Sequence, residues 1–202
     1  MKKKIIILGA GESGVGAALL AKQQGYDVFV SDGGKIAGNY VAELSMNEIP
    51  FEQENHSEER ILAADEVVKS PGIPEKAVIV KKIRARNISV ISEIEFAYRF
   101  IGNSKVVAIT GSNGKSTTTA LTYHICRHAN MDCAMVGNIG YSFARQVAEN
   151  PKELYVAEII ANQGPTMKRW RAGAQGRASQ ILKRSSHISV TLKDNKSETE
   201  VQ

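Results

Sequence analysis

The octapeptide Thr110-Gly-Ser-Asn-Gly-Lys-Ser-Thr117 has the residue types of a phosphate cradle with a magnesium ligand attached. It follows the apolar run Val106–Ile109 and precedes a helix-forming stretch, and a strand, glycine loop and helix in that order are the context that gives such a motif meaning. Gly111 and Gly114 let backbone N–H groups turn inward toward phosphate oxygens. Lys115 can bridge terminal phosphates, Ser116 can ligate Mg²⁺, and the helix N-terminus adds partial positive charge. The candidate ATP-binding set is Gly111, Ser112, Asn113, Gly114, Lys115, Ser116 and Thr117. Ile109 stands where the GxxxxGK[ST] pattern has glycine, so the shortened form TGxNGK[ST] describes the loop better. A second cradle, Gly9-Ala-Gly11-Glu12-Ser13-Gly14, fits GxGxxG, and Asp32 closes the strand that follows. This is the local fingerprint of a dinucleotide-binding unit. Its physics asks only for a diphosphate on a helix N-terminus and an acidic group near a polar ring, which NAD and a UDP-sugar both supply.

The elements needed to position these loops alternate as strand and helix through residue 160, the pattern of an α/β protein with largely parallel sheets. Strands are expected at Lys3–Leu8, Tyr26–Val30, Glu66–Lys69 and Ser89–Ile91, then from Lys105, at Cys133–Val136 and at Leu154–Ile159. Helices are expected from about Ser13 to Gln24, at Glu75–Arg86, Glu93–Phe100 and Thr118–Ala129, and at Phe143–Glu149. Ser70-Pro-Gly-Ile-Pro74 is a turn that two prolines and a glycine nearly force. Glu52 to Arg60 reads as a charge-rich loop or helix surface.

The net charge of +5 in 202 residues is unevenly placed. Residues 161–202 hold eight Lys+Arg against three Asp+Glu, and the first 160 residues balance at 18 of each. The basic excess therefore describes the tail and does not mark the body as a nucleic-acid binder. Residues 161–202 have few large apolar residues, and only Ile188, Val190 and Leu192 alternate like a strand. The tail is expected to be largely disordered. No segment reaches the ~20 apolar residues of a membrane span, and two cysteines, Cys126 and Cys133, give no disulfide framework. Reduced thiols and a cytoplasmic location are expected, with neither a membrane nor a nucleic-acid partner.

Two nucleotide loops within 160 residues make the chain resemble the Mur ligases of peptidoglycan synthesis, and within them the branch that adds D-glutamate. The resemblance rests on Gly9-x-Gly11-x-Ser13-Gly14, Ser70-Pro-Gly-Ile73, Ser92-Glu-Ile-Glu-Phe96, the Thr110–Thr117 loop and Gly137-Asn-Ile-Gly140, in that order. Tyr155-Val-Ala-Glu158 looks like the strand whose glutamate holds magnesium. The resemblance implies a Rossmann-like UDP-substrate domain at 1–93 and part of a P-loop ATPase domain at 94–160, with an unrelated tail at 161–202. It implies ATP and Mg²⁺ as cofactors, and UDP-N-acetylmuramoyl-L-alanine and D-glutamate as substrates joined through an acyl phosphate. It places Gly11, Glu12, Ser13, Gly14, Asp32 and Asn138 at the UDP-substrate, Lys115 and Asn138 in catalysis, and Ser116 and Glu158 at magnesium.

The departures from that family are local. After Asp32 the family offers Thr or Ser and a basic residue to the nucleotide, whereas this chain has Gly33-Gly34-Lys35. Beyond Glu158 the resemblance stops, so the chain reads as less than half of such an enzyme, truncated and inactive alone. The alternatives are a nucleotide-binding module without catalysis, a fragment of an NAD-dependent oxidoreductase, and a chain without function of its own whose tail is foreign from Ile160 on, as a frameshift, junction or deletion would make it. His124 and His128, four apart on one helix, suggest no third ligand and read as packed or solvated side chains. Trp170 among Lys168, Arg169 and Arg171 reads as part of the basic run.

Overall fold

The computed structural model describes residues 2–158 except Ser112, and four strands beyond them. The chain divides into two units, Met1–Ile159 and Ile160–Gln202. The first unit opens with β1 (Lys4–Leu8), α1 (Glu12–Gln23), β2 (Asp27–Ser31), α2 (Gly38–Met46) and β3 (Phe51–Glu52). It continues with α3 (Glu58–Ile61), β4 (Glu66–Lys69), α4 (Val78–Ala85), β5 (Ser89–Ser92) and α5 (Glu93–Tyr98). Their five strands form one parallel sheet in the order β3-β2-β1-β4-β5. That is the doubly wound order, with ligands expected beyond the carboxyl ends of the strands. Both faces of β1 are covered, which is why it reads as an unbroken apolar run rather than an alternating one. Ile5 and Ile7 join a core with Val15, Leu20, Leu44 and Phe96. Ile6 and Leu8 face the opposite core of Ile61, Ile79, Val80 and Ile83. Each such side chain removed from water contributes ~1.5–3 kcal/mol.

The second sheet of this unit is smaller. It comprises β6 (Lys105–Ile109), α6 (Lys115–His128), β7 (Cys133–Gly137), α7 (Phe143–Glu149) and β8 (Leu154–Glu158). Its strands are parallel in the order β6-β8-β7. Glu158 at the carboxyl end of the central strand pairs with Ile109 on one side and Gly137 on the other. That register brings the ends of three strands, and the loops that follow them, to one place. Helix α7 joins the two sheets: its Phe143, Ala144 and Val147 share a core with Val15, Ala17 and Ala18 of α1. The contact is close at Gly16, where an added Cβ would lie 2.1 Å from Ser142 Oγ and 2.9 Å from Arg145 N.

Most expected elements are present with ends shifted by one to three residues. The sequence reading placed no definite element between residues 33 and 65, where α2, β3 and α3 occur. These are short; β3 is a two-residue edge strand whose ladder is set by its neighbour β2 rather than by its own pattern. In the second unit, β10 (Met167–Ala172) and β11 (Ala178–Lys183) form an antiparallel ladder, and β9 (Asn162–Gln163) pairs with β12 (Ser186–His187). The expected disorder is thus corrected for these residues. Backbone hydrogen bonds build such a ladder without any apolar alternation for a sequence reading to find. Ile188, Val190 and Leu192 lie outside the described residues. Among the described residues no helix is long and apolar enough to cross a membrane.

Candidate functional site

The first loop is tied to the ends of β2 and β4. Gly9 N donates to Ser31 O at 2.9 Å, and Ser70 Oγ donates to Gly9 O at 3.4 Å. The Asp32 carboxylate accepts from Ala10 N at 2.6 Å and from Gly34 N at 2.8 Å. Asp32 therefore fixes the cradle as well as standing beside it. At Gly14 an added Cβ would lie 1.8 Å from Gly9 O, so only glycine lets α1 start this close to the loop. A cleft of about 400 Å³ opens here, lined by Gly9, Asp32, Gly33, Gly34, His56 and Ile73 among others. A larger hollow of about 1040 Å³ lies by Lys3, Lys4, Asp27 and Glu48, at the amino ends of β1 and β2. The smaller cleft is the better candidate, because in parallel sheets the loops that bind ligands leave the carboxyl ends of the strands.

Glu12, expected at the substrate, points its carboxylate elsewhere. Its Oε1 accepts from Ser142 N at 3.1 Å and from Arg145 Nε at 2.9 Å. Arg145 also donates to both Glu43 oxygens and to Glu149. The guanidinium is 9 % exposed and is held even more firmly protonated than usual, first by Glu43 and then by Glu12, against the opposing effect of burial. An ion pair with Arg145 on α7 thus engages Oε1 of the carboxylate expected at the UDP-substrate. Gly11, Ser13 and Gly14 remain grouped at the start of α1.

Glu93 completes this junction. Its carboxylate is 5 % exposed and accepts from Ala144 N at 2.5 Å. Burial pushes its pKa up to about 7; the Ala144 and Phe143 N–H groups pull it down, and the Glu12 charge raises it. Sequence reasoning missed Arg145 and Glu43 altogether. Their only signal is an arginine between Ala144 and Gln146 on a helix whose Phe143, Ala144 and Val147 are apolar, since its three carboxylate partners lie on other turns and elements.

At the second loop, Gly114 has φ +74° and caps α6, whose first residue is Lys115. Lys115 Nζ donates to Gly111 O at 2.8 Å, folded back over the loop. Ser116 Oγ donates to Glu158 Oε2 at 3.0 Å. The two residues expected to hold magnesium thus meet from α6 and β8. Glu158 is 2 % exposed, and among the described residues it has no salt bridge. A buried carboxylate beside a hydroxyl offers two hard oxygen donors, which suits Mg²⁺ completed by water and phosphate oxygens. Asn138 is exposed just past Gly137, at the same end of the sheet. Asn113 and Thr117 are also exposed, and Ser112 lies outside the described residues. Among the described residues no group of three His, Cys, Asp or Glu could hold a metal. The His124 and His128 ring centroids lie 4.2 Å apart with the rings tilted at 59°, and Cys126 and Cys133 are free thiols.

Known proteins bear out the resemblance and divide the chain in an unexpected way. Residues 3–92 match the family described as Mur ligase MurD-like, N-terminal domain. Residues 127–193, from the end of α6 into the tail, match the family described as ribosomal protein L22p/L17e, a span that overlaps the ligase alignments given next. A UDP-N-acetylmuramoylalanine--D-glutamate ligase of Cytophaga hutchinsonii is 56% identical over 173 residues, which is 85% of this chain and 38% of that protein. A ligase of the same name from Porphyromonas gingivalis is 51% identical over 172 residues, again 85% of this chain and 38% of that protein. The chain thus spans about two fifths of the length of these relatives. Among solved structures, a UDP-N-acetylmuramate:L-alanyl-gamma-D-glutamyl-meso-diaminopimelate ligase from Neisseria meningitides aligns with TM-score 0.53 at 21% identity. It covers 80% of this chain and 53% of the other, a likeness of fold. The N-terminal family match, the long alignments to D-glutamate ligases and this shared fold make the chain similar to the Mur ligases over most of its length.

Proposed function

We propose that the first unit binds a UDP-sugar at the Gly9–Gly14 loop and MgATP at the Gly111–Thr117 loop, as part of an ATP-dependent ligase of peptidoglycan precursor synthesis. The substrates of that ligase are UDP-N-acetylmuramoyl-L-alanine and D-glutamate, named by the relatives. The observation that carries the reading is the Ser116–Glu158 contact, because it joins a phosphate loop to a buried carboxylate one strand away. Lys115 would leave Gly111 O for the terminal phosphates. Ser116 and Glu158 would hold Mg²⁺, which neutralises the charge that develops as a phosphoryl group moves to the substrate carboxylate. Gly11, Ser13 and Gly14 would take the UDP diphosphate on the α1 N-terminus, and Asp32, already bracing the loop, retains lone pairs for a ribose hydroxyl. Asn138 would contact the muramoyl side where the two ligands approach. The domain division 1–93 and 94–160 follows the two sheets, and a cytoplasmic site suits soluble nucleotide substrates.

Calorimetric titration of the full chain with MgATP tests this. Ser116→Ala and Glu158→Gln are expected to weaken MgATP binding at least ~10-fold while leaving UDP-sugar affinity unchanged, since each removes one metal ligand. Unchanged MgATP affinity in both variants would remove the second loop from the reading.

A second reading concerns the tail alone. Residues 161–193 contain seven Lys+Arg and no Asp or Glu, and they fall within the ribosomal-protein match. This favours RNA as a partner for that segment, in place of the expected absence of a nucleic-acid partner. Binding of the full chain to ribosomal RNA across a salt series is then expected to weaken steeply, and less steeply when Lys168, Arg169 and Arg171 are changed to Gln.

A further inference from the structure

We infer that His56 reads the base of the nucleotide bound at the first loop, its Nε2 accepting the imide N–H of a uracil. This deepens the UDP-sugar reading of that loop and rests on it.

The cleft beyond Asp32 has no side chain from the two residues that follow, because both Gly33 and Gly34 are glycine. The space is taken instead from β3 and the turn after it. His56 Nε2 lies 3.0 Å from where a Cβ on Gly33 would be, and the half-buried imidazole lines the cleft with Asp32, Gly33, Gly34 and Ile73. A side chain at residue 33 would press on this ring; glycine leaves it standing beside the acidic residue expected at the ribose.

The inner face of the imidazole settles what the outer face offers. His56 Nδ1 lies 2.7 Å from Ser31 Oγ. Ser31 has one hydroxyl proton, and Glu52 Oε1 lies 2.7 Å from the same oxygen, with Asn55 O more distant at 3.5 Å. Glu52 can only accept when ionised, and it is held ionised. Burial raises its pKa, but hydrogen bonds from the Ser57 hydroxyl, the Ser57 N–H and Ser31 together carry it below the usual carboxylate range. The Ser31 proton therefore goes to Glu52, and the Ser31 oxygen accepts from an N–H at His56 Nδ1. A neutral imidazole has a single N–H, so Nε2 presents a lone pair to the cleft.

A lone pair at that point discriminates between bases. Uracil has a ring N–H at position 3, flanked by two carbonyls. Cytosine has a lone pair at the same position, and adenine has one at N1. An acceptor fixed from behind by Ser31 and Glu52 pairs with uracil and meets the other two lone pair to lone pair. It therefore also counts against the adenine end of NAD.

Titration of the full chain with UDP and with CDP, followed by calorimetry, tests the assignment in the wild type, His56→Asn and His56→Gln. Asparagine keeps a polar group toward Ser31 but has nothing at the Nε2 position, whereas glutamine places an amide there. Folding of each variant is checked by circular dichroism. The wild type is expected to prefer UDP by roughly tenfold, the size of one net hydrogen bond. His56→Asn is expected to bring the two affinities level, and so is His56→Gln, whose amide can turn its oxygen to uracil or its NH2 to cytosine. A wild type that binds both nucleotides equally, or variants that keep its preference in full, would overturn the role of His56 and leave the UDP site standing. A wild type that binds neither would overturn the UDP reading of the loop, and His56 with it.

Discussion

The two sheets of the first unit use the same order of strand, glycine loop and helix, yet they are covered very differently. In the first, β1 is buried from Ile5 to Leu8, and α1 buries seven residues against it. In the second, no residue of β6 is fully buried, and α6 buries only Thr119. Leu121 and Ile125 on α6 are 58% and 59% exposed. The first loop therefore stands on a closed, two-sided core. The second depends on what reaches it from β8 and α7, namely Glu158 beneath Ser116 and the junction of Arg145, Glu12 and Glu93. The lesson is that a glycine loop can keep its local geometry on a sheet that is covered on few sides, provided one buried strand carries a carboxylate to brace it.

Breaking the junction gives the largest expected effect. Arg145→Met leaves Glu12, Glu43 and Glu149, which are 34%, 28% and 53% exposed, without their shared cation, and losing several charge-assisted hydrogen bonds partly screened by water is expected to cost ~3 kcal/mol. Urea denaturation is expected to show that loss, with partial recovery when Glu43→Gln is added. An unchanged midpoint would mean that α7 is held by its apolar contacts alone.

Glu93 sharpens the comparison through pH. Its folded pKa, about 7, lies above its unfolded value of 4.5, so the native state holds the proton longer than the unfolded state. Stability is therefore expected to fall as pH rises from about 4.5 to about 7, by up to ~3 kcal/mol at full ionisation. Glu93→Gln keeps an acceptor for Ala144 N and removes the charge, so its melting temperature should change less than the wild type's between pH 5 and pH 8. Parallel profiles would contradict this.

The most direct contrast between the helices sets a core substitution against the smallest effect of all. Leu20→Ala, in the closed core, is expected to cost ~2–5 kcal/mol. Leu121→Ala, on the exposed face of α6, is expected to stay within about 0.5 kcal/mol. Equal losses by thermal denaturation would show that the α6 face is covered in solution.

Much of this was legible in the sequence, for physical reasons. Both loops could be placed because glycine spacing and a preceding apolar run are local signals, and Glu158 because the Tyr155–Glu158 motif carries the family resemblance. Arg145 could not be read as a junction, since Glu12 and Glu43 lie more than 100 residues away in the chain. His56 was hidden for the same reason: its meaning comes from Ser31 at the end of β2 and Gly33 just beyond it. The β10–β11 ladder escaped because backbone pairing between polar strands leaves no periodic trace.

The measurement that tests the central claim most directly is competitive titration of the full chain with UDP-N-acetylmuramoyl-L-alanine and with NAD. The account predicts saturable binding of the UDP-sugar that Asp32→Ala abolishes, and no competition by NAD. Binding of NAD in preference to the UDP-sugar would contradict it.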